Sequence, residues 1–268
     1  GWPCGCGEPV AECPFWTEVL GAAFAGAAVP TVAEMRRLED GVARTRHVAK
    51  IRRRPADPAV ARYRDVRRRL YRAIEQLTGA RLLVDSSKDP ADALVAAQID
   101  EVPLSVVHVI RDPRAVAFSW ARPTRYPGRP GGELMRQRHP FDSSLRWLVW
   151  NGVIEAMLPR AVGGRYLRVR YEDVVASPRE SLRRMLEVAD HGGEPPVGDD
   201  RVVVLSRPHC LASNPGRSTT GPVALVADEA WEHEMTASAR RAAVAPALPL
   251  MAHYGYGWRR PRQAARGA

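Results

Sequence analysis

The stretch Leu104-Ser105-Val106-Val107-His108-Val109-Ile110-Arg111-Asp112-Pro113-Arg114-Ala115-Val116-Ala117-Phe118-Ser119-Trp120 decides the fold class of this chain. Val106, Val107, Val109 and Ile110 are β-branched, and the run stops at Arg111-Asp112-Pro113, so residues 104–110 are predicted to form a strand. Residues 115–121 then read as a helix. Upstream, residues 59–77 place Val60, Tyr63, Val66, Leu70, Ile74 and Leu77 at spacings of three and four, the mark of an amphipathic helix, and Gly79 supplies its stop. Residues 81–85, Leu-Leu-Val flanked by charge, read as a short buried strand that ends on Asp85-Ser86-Ser87-Lys88, with a helix restarting after Pro90. Downstream come a long helix over 141–158 with Trp147 and Trp150, a strand over 166–169 and a helix over 178–189.

Strands that alternate with helices predict an α/β fold of right-handed βαβ units, with a parallel sheet covered on both faces and a ligand site at the carboxyl ends of its strands. The polar clusters at Asp85, Arg111 and Tyr171 each follow a predicted strand. Residues 1–16 read as an irregular loop ending near Phe15-Trp16, residues 126–132 and 191–198 as surface loops, and 259–268 as a frayed tail, which leaves one domain over 1–268.

The chain has 268 residues, a hydrophobic share of 45% and a formal net charge of +10. That charge suits an anionic partner: nucleic acid, an acidic membrane surface or a phosphorylated small molecule. Of the 40 basic residues only Lys50 and Lys88 are lysines, an arginine bias that reflects a GC-rich genome and weakens the argument from charge. The triplets at 52–54 and 67–69 are read as a solvated helix face. No recognised nucleic-acid module is present, and aromatics make up 7% of the chain. No run approaches the roughly 20 apolar residues needed to cross a bilayer. Three of the four cysteines, Cys4, Cys6 and Cys13, crowd the start, with Cys210 far away. This is no disulfide framework, and a reducing, cytoplasmic setting is expected.

Four places carry candidate chemistry. Arg111 at a strand end and Ser119 eight residues on can meet one phosphate, the first through its planar fork of donors and the second through a hydroxyl. The same residues also suit an Arg111–Asp112 pair closing the strand, with Ser119 turned into a helix groove. Lys88 offers a compact cation for charge developing in a group transfer, or is a solvated neighbour of a helix-capping cluster. Tyr171 offers an aromatic face to a base, or fills the core. Gly216-Arg217-Ser218-Thr219-Thr220-Gly221 imitates a phosphate-cradling loop, but Pro215 before it and Gly221-Pro222 after it deny it the strand and helix such a loop needs. Three thiols do not close a four-ligand zinc site, and no histidine is near them in sequence, so no metal is expected.

Arg111-Asp112-Pro113-Arg114-Ala115-Val116 followed by Ser119 resembles the 3′-phosphate-binding motif of the sulfotransferases that use 3′-phosphoadenosine 5′-phosphosulfate. Asp85-Ser86-Ser87-Lys88 is similar to the bacterial and carbohydrate-type members. The run from Leu167 through Tyr171-Glu172-Asp173 to Pro178 resembles the family's strand, Tyr-Glu-Asp, loop, proline and helix unit. Asn214-Pro215-Gly216-Arg217, then Gly221-Pro222-Val223 and Trp231, resembles its carboxyl-terminal loop, and the Cys4 to Trp16 string resembles a segment of bacterial members.

The resemblance implies a three-layer, P-loop NTPase-like parallel sheet whose amino-terminal βα unit, with the Gly-rich loop for the 5′-phosphosulfate, is missing from this truncated chain. It implies that Arg111, Ser119 and Arg217 bind the 3′-phosphate, Tyr171 the adenine, and Lys88 the sulfuryl end beside Ser86 and Ser87, with Asp85 a substitute general base. The implied reaction moves a sulfuryl group to a hydroxyl or amine of a small-molecule or carbohydrate acceptor, with no metal, no nucleic acid and no membrane span. A truncated relative that binds the nucleotide without transfer, a basic nucleic-acid-binding protein and a nucleotide kinase are the alternatives.

Overall fold

Among the described residues, six helices begin with proline in the first turn, where its missing N–H costs nothing, and in four of them Asp or Ser stands just before it. The computed structural model describes residues 4–125, 133–198, 200–210 and 219–257. The expected loop at 126–132, the tail at 259–268 and Arg217 lie outside the described residues. The amino-terminal half holds α1 (Pro14–Ala23), α2 (Val32–Gly41), α3 (Val48–Arg53), α4 (Pro58–Thr78) and α5 (Pro90–Ala96). The centre holds β1 (Val106–Ile110), α6 (Pro113–Ala121), α7 (Pro140–Ala161), β2 (Tyr166–Arg170), α8 (Tyr171–Ala176) and α9 (Pro178–Val188). Two short strands, β3 (Val202–Leu205) and β4 (Gly221–Ala224), precede α10 (Ala230–Glu234) and α11 (Ala237–His253).

Capping explains the boundaries. The Asp57 carboxylate accepts from the Ala59 and Val60 amides and starts α4, which Gly79 ends in the left-handed region at φ 63°. Asp89 accepts from the Ala91 amide and from the Thr45 hydroxyl, so the cap after Lys88 is Asp89 and not a serine. Asp112 accepts from the Arg114 amide at 2.8 Å and starts α6 directly after β1.

The chain is a mixed α/β protein. β1 and β2 pair in parallel, with Val106 opposite Tyr166 and Ile110 opposite Arg170, while β3 and β4 form a separate antiparallel pair. Side chains alternate along β1: His108 and Ile110 are buried and Val107 and Val109 are exposed. Ile110 packs with Trp147 of α7 and with Ala247, Met251, Tyr254 and Tyr256 on and just after α11, an apolar helix the sequence reading did not single out. A second core joins α2, α3, α4, α5 and α7 through Leu38, Ile51, Val60, Tyr63, Val95 and Leu158.

Three expectations change. Residues 81–85 pair with no strand among the described residues, and Val84 is 81% exposed; β-branched residues make a strand only where a neighbouring edge takes their backbone donors. The opening loop stops at Cys13, because Pro14 already begins α1 and puts Phe15 and Trp16 in its first turn. Arg67 is not part of a solvated face: it lies between the Tyr63 and Tyr71 rings and pairs with Asp85, whereas Arg68 and Arg69 both pair with Asp65 at the surface.

His108 shows how a polar residue is kept inside this sheet. The Asn151 amide donates to the Trp147 carbonyl at 2.7 Å, so its oxygen is left to accept from His108 Nε2–H at 2.6 Å, and His108 Nδ1 accepts from the Tyr166 hydroxyl at 2.7 Å. The neutral ring is thereby satisfied at both nitrogens. Burial lowers its pKa below the usual 6.5; Asn151 and Glu155 oppose this only in part, and Arg168 adds to it. The folded protein keeps His108 neutral while the unfolded chain takes up a proton below about pH 6.5, so stability is full above that pH and falls as the pH drops through it. We expect melting curves between pH 7.5 and 5 to show this loss, at up to about 1.4 kcal/mol per pH unit, and His108→Gln to flatten it. An unchanged slope in the variant would assign the loss to other groups.

Candidate functional site

Parallel pairing of β1 and β2 brings the residues after their carboxyl ends side by side. Because Ile110 faces Arg170 in the register, Arg111 and Tyr171 emerge as neighbours, and the Arg111 guanidinium lies over the Tyr171 ring at 4.5 Å. Trp147 Nε1–H donates to the Arg111 carbonyl at 3.0 Å, which fixes the backbone from which that side chain starts. Glu172 follows Tyr171 and ties three elements together. Its carboxylate accepts from the Asp112 amide at 3.1 Å and from the Tyr256 hydroxyl at 2.7 Å. Burial first, and Glu172 second, push the Tyr256 pKa up, so the phenol stays a donor.

These residues wall a cleft of about 740 Å³. Arg111, Arg114, Arg170, Tyr171, Asp228 and Trp231 are among its lining. Arg114 is 1% exposed and forms a forked pair with Asp112, Nε to Oδ1 at 2.9 Å and Nη2 to Oδ2 at 2.5 Å, while its guanidinium lies over the Trp231 ring at 4.7 Å. Arg111 Nε, Arg114 Nη1 and Arg170 Nε are buried donors with no hydrogen-bond partner among the described residues. Such donors are costly unless something accepts from them. Arg111 Nη2 donates to the Asp228 carboxylate and to its carbonyl, both at 3.0 Å, and this contact lowers the Asp228 pKa.

A second cleft, of about 460 Å³, opens on the other side of Arg111, which lines both. Ser87, Lys88, Trp120, Arg146 and Trp150 border it. The Arg146 guanidinium lies over the Trp150 ring at 4.0 Å, and Arg146 Nε and the Ser143 hydroxyl are buried without a partner among the described residues.

The structure thus brings Arg111 and Tyr171 together, and places Lys88 and Ser87 in the adjoining cleft. Ser119 is exposed on α6 and lines neither cleft, as is the case for Ser86. Asp85 accepts from Arg67, from the Tyr71 hydroxyl at 2.6 Å and from the Ser87 amide at 2.8 Å. Burial alone would raise its pKa, but the Arg67 charge and these hydrogen bonds outweigh burial and lower it. That is the reverse of what a general base poised near neutral pH requires. Arg114 and Arg170 were missed as site residues, although each lies within a quoted motif, because an arginine-rich chain offers no local mark for the few that turn inward. Asp228 and Tyr256 reach the site from segments with no such motif.

No curated protein and no solved structure is significantly similar to the chain. Residues 17–192 match the profile of the Sulfotransferase family. This match spans most of the chain and includes Lys88, Arg111, Ser119 and Tyr171, so the protein belongs to the sulfotransferase family.

Proposed function

We propose that the protein transfers a sulfuryl group from 3′-phosphoadenosine 5′-phosphosulfate to a hydroxyl or amine of a small-molecule or carbohydrate acceptor in a reducing, cytoplasmic setting. The observation that carries this reading is the pairing of Arg111 and Tyr171 at the ends of adjacent parallel strands, with Arg111 shared between two clefts. A nucleotide bisphosphate suits the larger cleft: its walls supply aromatic rings for a base and arginine donors that lack acceptors. Arg111, with Ser119 and Arg217, binds the 3′-phosphate, and Tyr171 binds the adenine. The second cleft takes the reacting end, where Lys88, beside Ser86 and Ser87, neutralises charge on the oxygen left behind as the S–O bond breaks. Asp85 serves as an anchor for this segment through Arg67 and Tyr71. We take the parallel pair to be part of a three-layer, P-loop-like sheet, a reading supported by the exposure of the apolar Val107 and Val109 on one face of β1.

Isothermal titration separates the 3′ end from the rest of the nucleotide. Arg111→Ala is expected to weaken adenosine 3′,5′-bisphosphate about 10- to 100-fold, the worth of a charged hydrogen bond, and 5′-AMP far less. Equal losses for both ligands would remove Arg111 from the 3′-phosphate site. Asp228→Asn should tighten the bisphosphate several-fold, because it removes the carboxylate that competes for Arg111 and leaves a side-chain oxygen to accept from the Ala230 amide; weaker binding would make Asp228 a supporting residue instead. Lys88→Ala should lower the sulfate-transfer rate about 100- to 1,000-fold with little change in bisphosphate affinity. A protein that binds the bisphosphate but transfers nothing from the labelled donor to any hydroxyl or amine would be a binder and not an enzyme.

A further inference from the structure

Away from both clefts, the opening segment is folded around its cysteines. The Cys4 amide donates to the Glu8 carbonyl at 2.7 Å and the Gly7 amide to the Cys4 carbonyl at 2.9 Å, with Gly7 at φ 106°, a turn that brings Cys4 and Cys6 back toward Cys13 at the cap of α1. The same segment is held against the connection between β3 and β4, because the Gly5 amide donates to the Cys210 carbonyl at 2.8 Å. A Cβ at Gly5 would lie 2.2 Å from the Pro208 carbonyl oxygen, so only glycine permits this approach. The approach delivers His209. Its ring stacks on Phe15 at 4.8 Å and 19°, and turns Nδ1 toward the sulfurs.

The four ligand atoms, three Sγ and one Nδ1, lie within 4.8 Å of one another. Cys6 and Cys13 Sγ are 3.7 Å apart, and His209 Nδ1 is 3.3 Å from Cys13 Sγ and 3.9 Å from Cys4 Sγ. With Zn–S near 2.3 Å and Zn–N near 2.0 Å, a tetrahedral zinc site separates two sulfurs by about 3.8 Å and a sulfur from a nitrogen by about 3.5 Å. The Cys6–Cys13 pair matches the first spacing, and the two His209 distances bracket the second. Cys4 and Cys13 are buried, and all four cysteines are free thiols. None of the four ligands falls within the residues that match the family.

We propose that Cys4, Cys6, Cys13 and His209 bind one zinc ion in a closed, structural Cys₃His site. Four protein ligands leave no open position for substrate, so the ion acts as a staple and not as a catalyst. It joins the start of α1 to the segment just after β3, nearly 200 positions away. Binding displaces thiol protons and adds its free energy to that of folding. The sequence reading expected no metal here because the fourth ligand, His209, arrives only through tertiary contact.

The test is metal analysis of the whole chain, purified without chelator under mild reduction. About one zinc per chain is expected by plasma mass spectrometry, and cobalt exchanged into the site should give the visible bands of tetrahedral coordination with a thiolate charge-transfer band. His209→Ala should retain zinc at least about tenfold more weakly, whereas Cys210→Ser, beside it but outside the cluster, should keep it. A folded wild-type protein that carries no zinc and takes up none when zinc is added would overturn the proposal without reference to any variant. A cobalt spectrum of six-coordinate type, or a Cys6–Cys13 disulfide found by mass spectrometry in zinc-replete protein, would do the same.

Discussion

The Glu172 carboxylate is the contact on which the rest of the architecture turns. It receives the amide that opens α6 after β1, sits in the first turn after β2, and accepts the hydroxyl of Tyr256 beyond α11. One side chain therefore sets how the two strand ends, and the segment that covers them, stand relative to one another. Beside it the Asp112–Arg114 pair is nearly inaccessible to water. A buried ion pair is tolerated only when its geometry repays desolvation, and removing one partner leaves a bare charge at a cost of about 3–5 kcal/mol. The forked contact and the Trp231 ring over the guanidinium supply that geometry, and they hold the wall of the larger cleft rigid.

Around this frame the many arginines divide by environment. Arg44, Arg68, Arg69 and Arg183 pair with carboxylates near the surface, where such contacts contribute about 0–1 kcal/mol each. Arg111, Arg114 and Arg170, at or just after the strand ends, also pair with carboxylates, but each keeps one buried donor nitrogen with no hydrogen-bond partner among the described residues. The net positive charge of the chain is uninformative about function; the handful of unsatisfied donors on rigid supports is informative. Asp228 fits this picture as a carboxylate of the chain itself that holds the Arg111 guanidinium in place.

The local signals in the chain were read well where the backbone answers to nearby residues alone. Val106 to Ile110, closed by Asp112-Pro113, formed the strand and helix its composition demands, and the spacing from Val60 to Ile74 produced a helix with Asp57 and Gly79 at its ends. Where an element depends on a distant partner the reading failed. Leu83 and Val84 carry strand-forming character but have no edge to join among the described residues, and Arg67, one of a charged triplet, is held by Asp85 and two tyrosine rings.

The sequence by itself therefore determined the family, the order of β1, α6, α7 and β2, and the positions from which Arg111 and Tyr171 would emerge, because strand ends and helix caps are decided by residues within a few positions of each other. Only the tertiary structure decided that Asp228 and Tyr256 belong to the same cleft, that Asp85 is bound to Arg67, and that His209 meets Cys4, Cys6 and Cys13. Contacts between residues far apart in sequence, from 18 positions for Arg67 and Asp85 to 196 for Cys13 and His209, depend on which apolar faces pack together, and that packing leaves no mark on the residues beside any one of the partners.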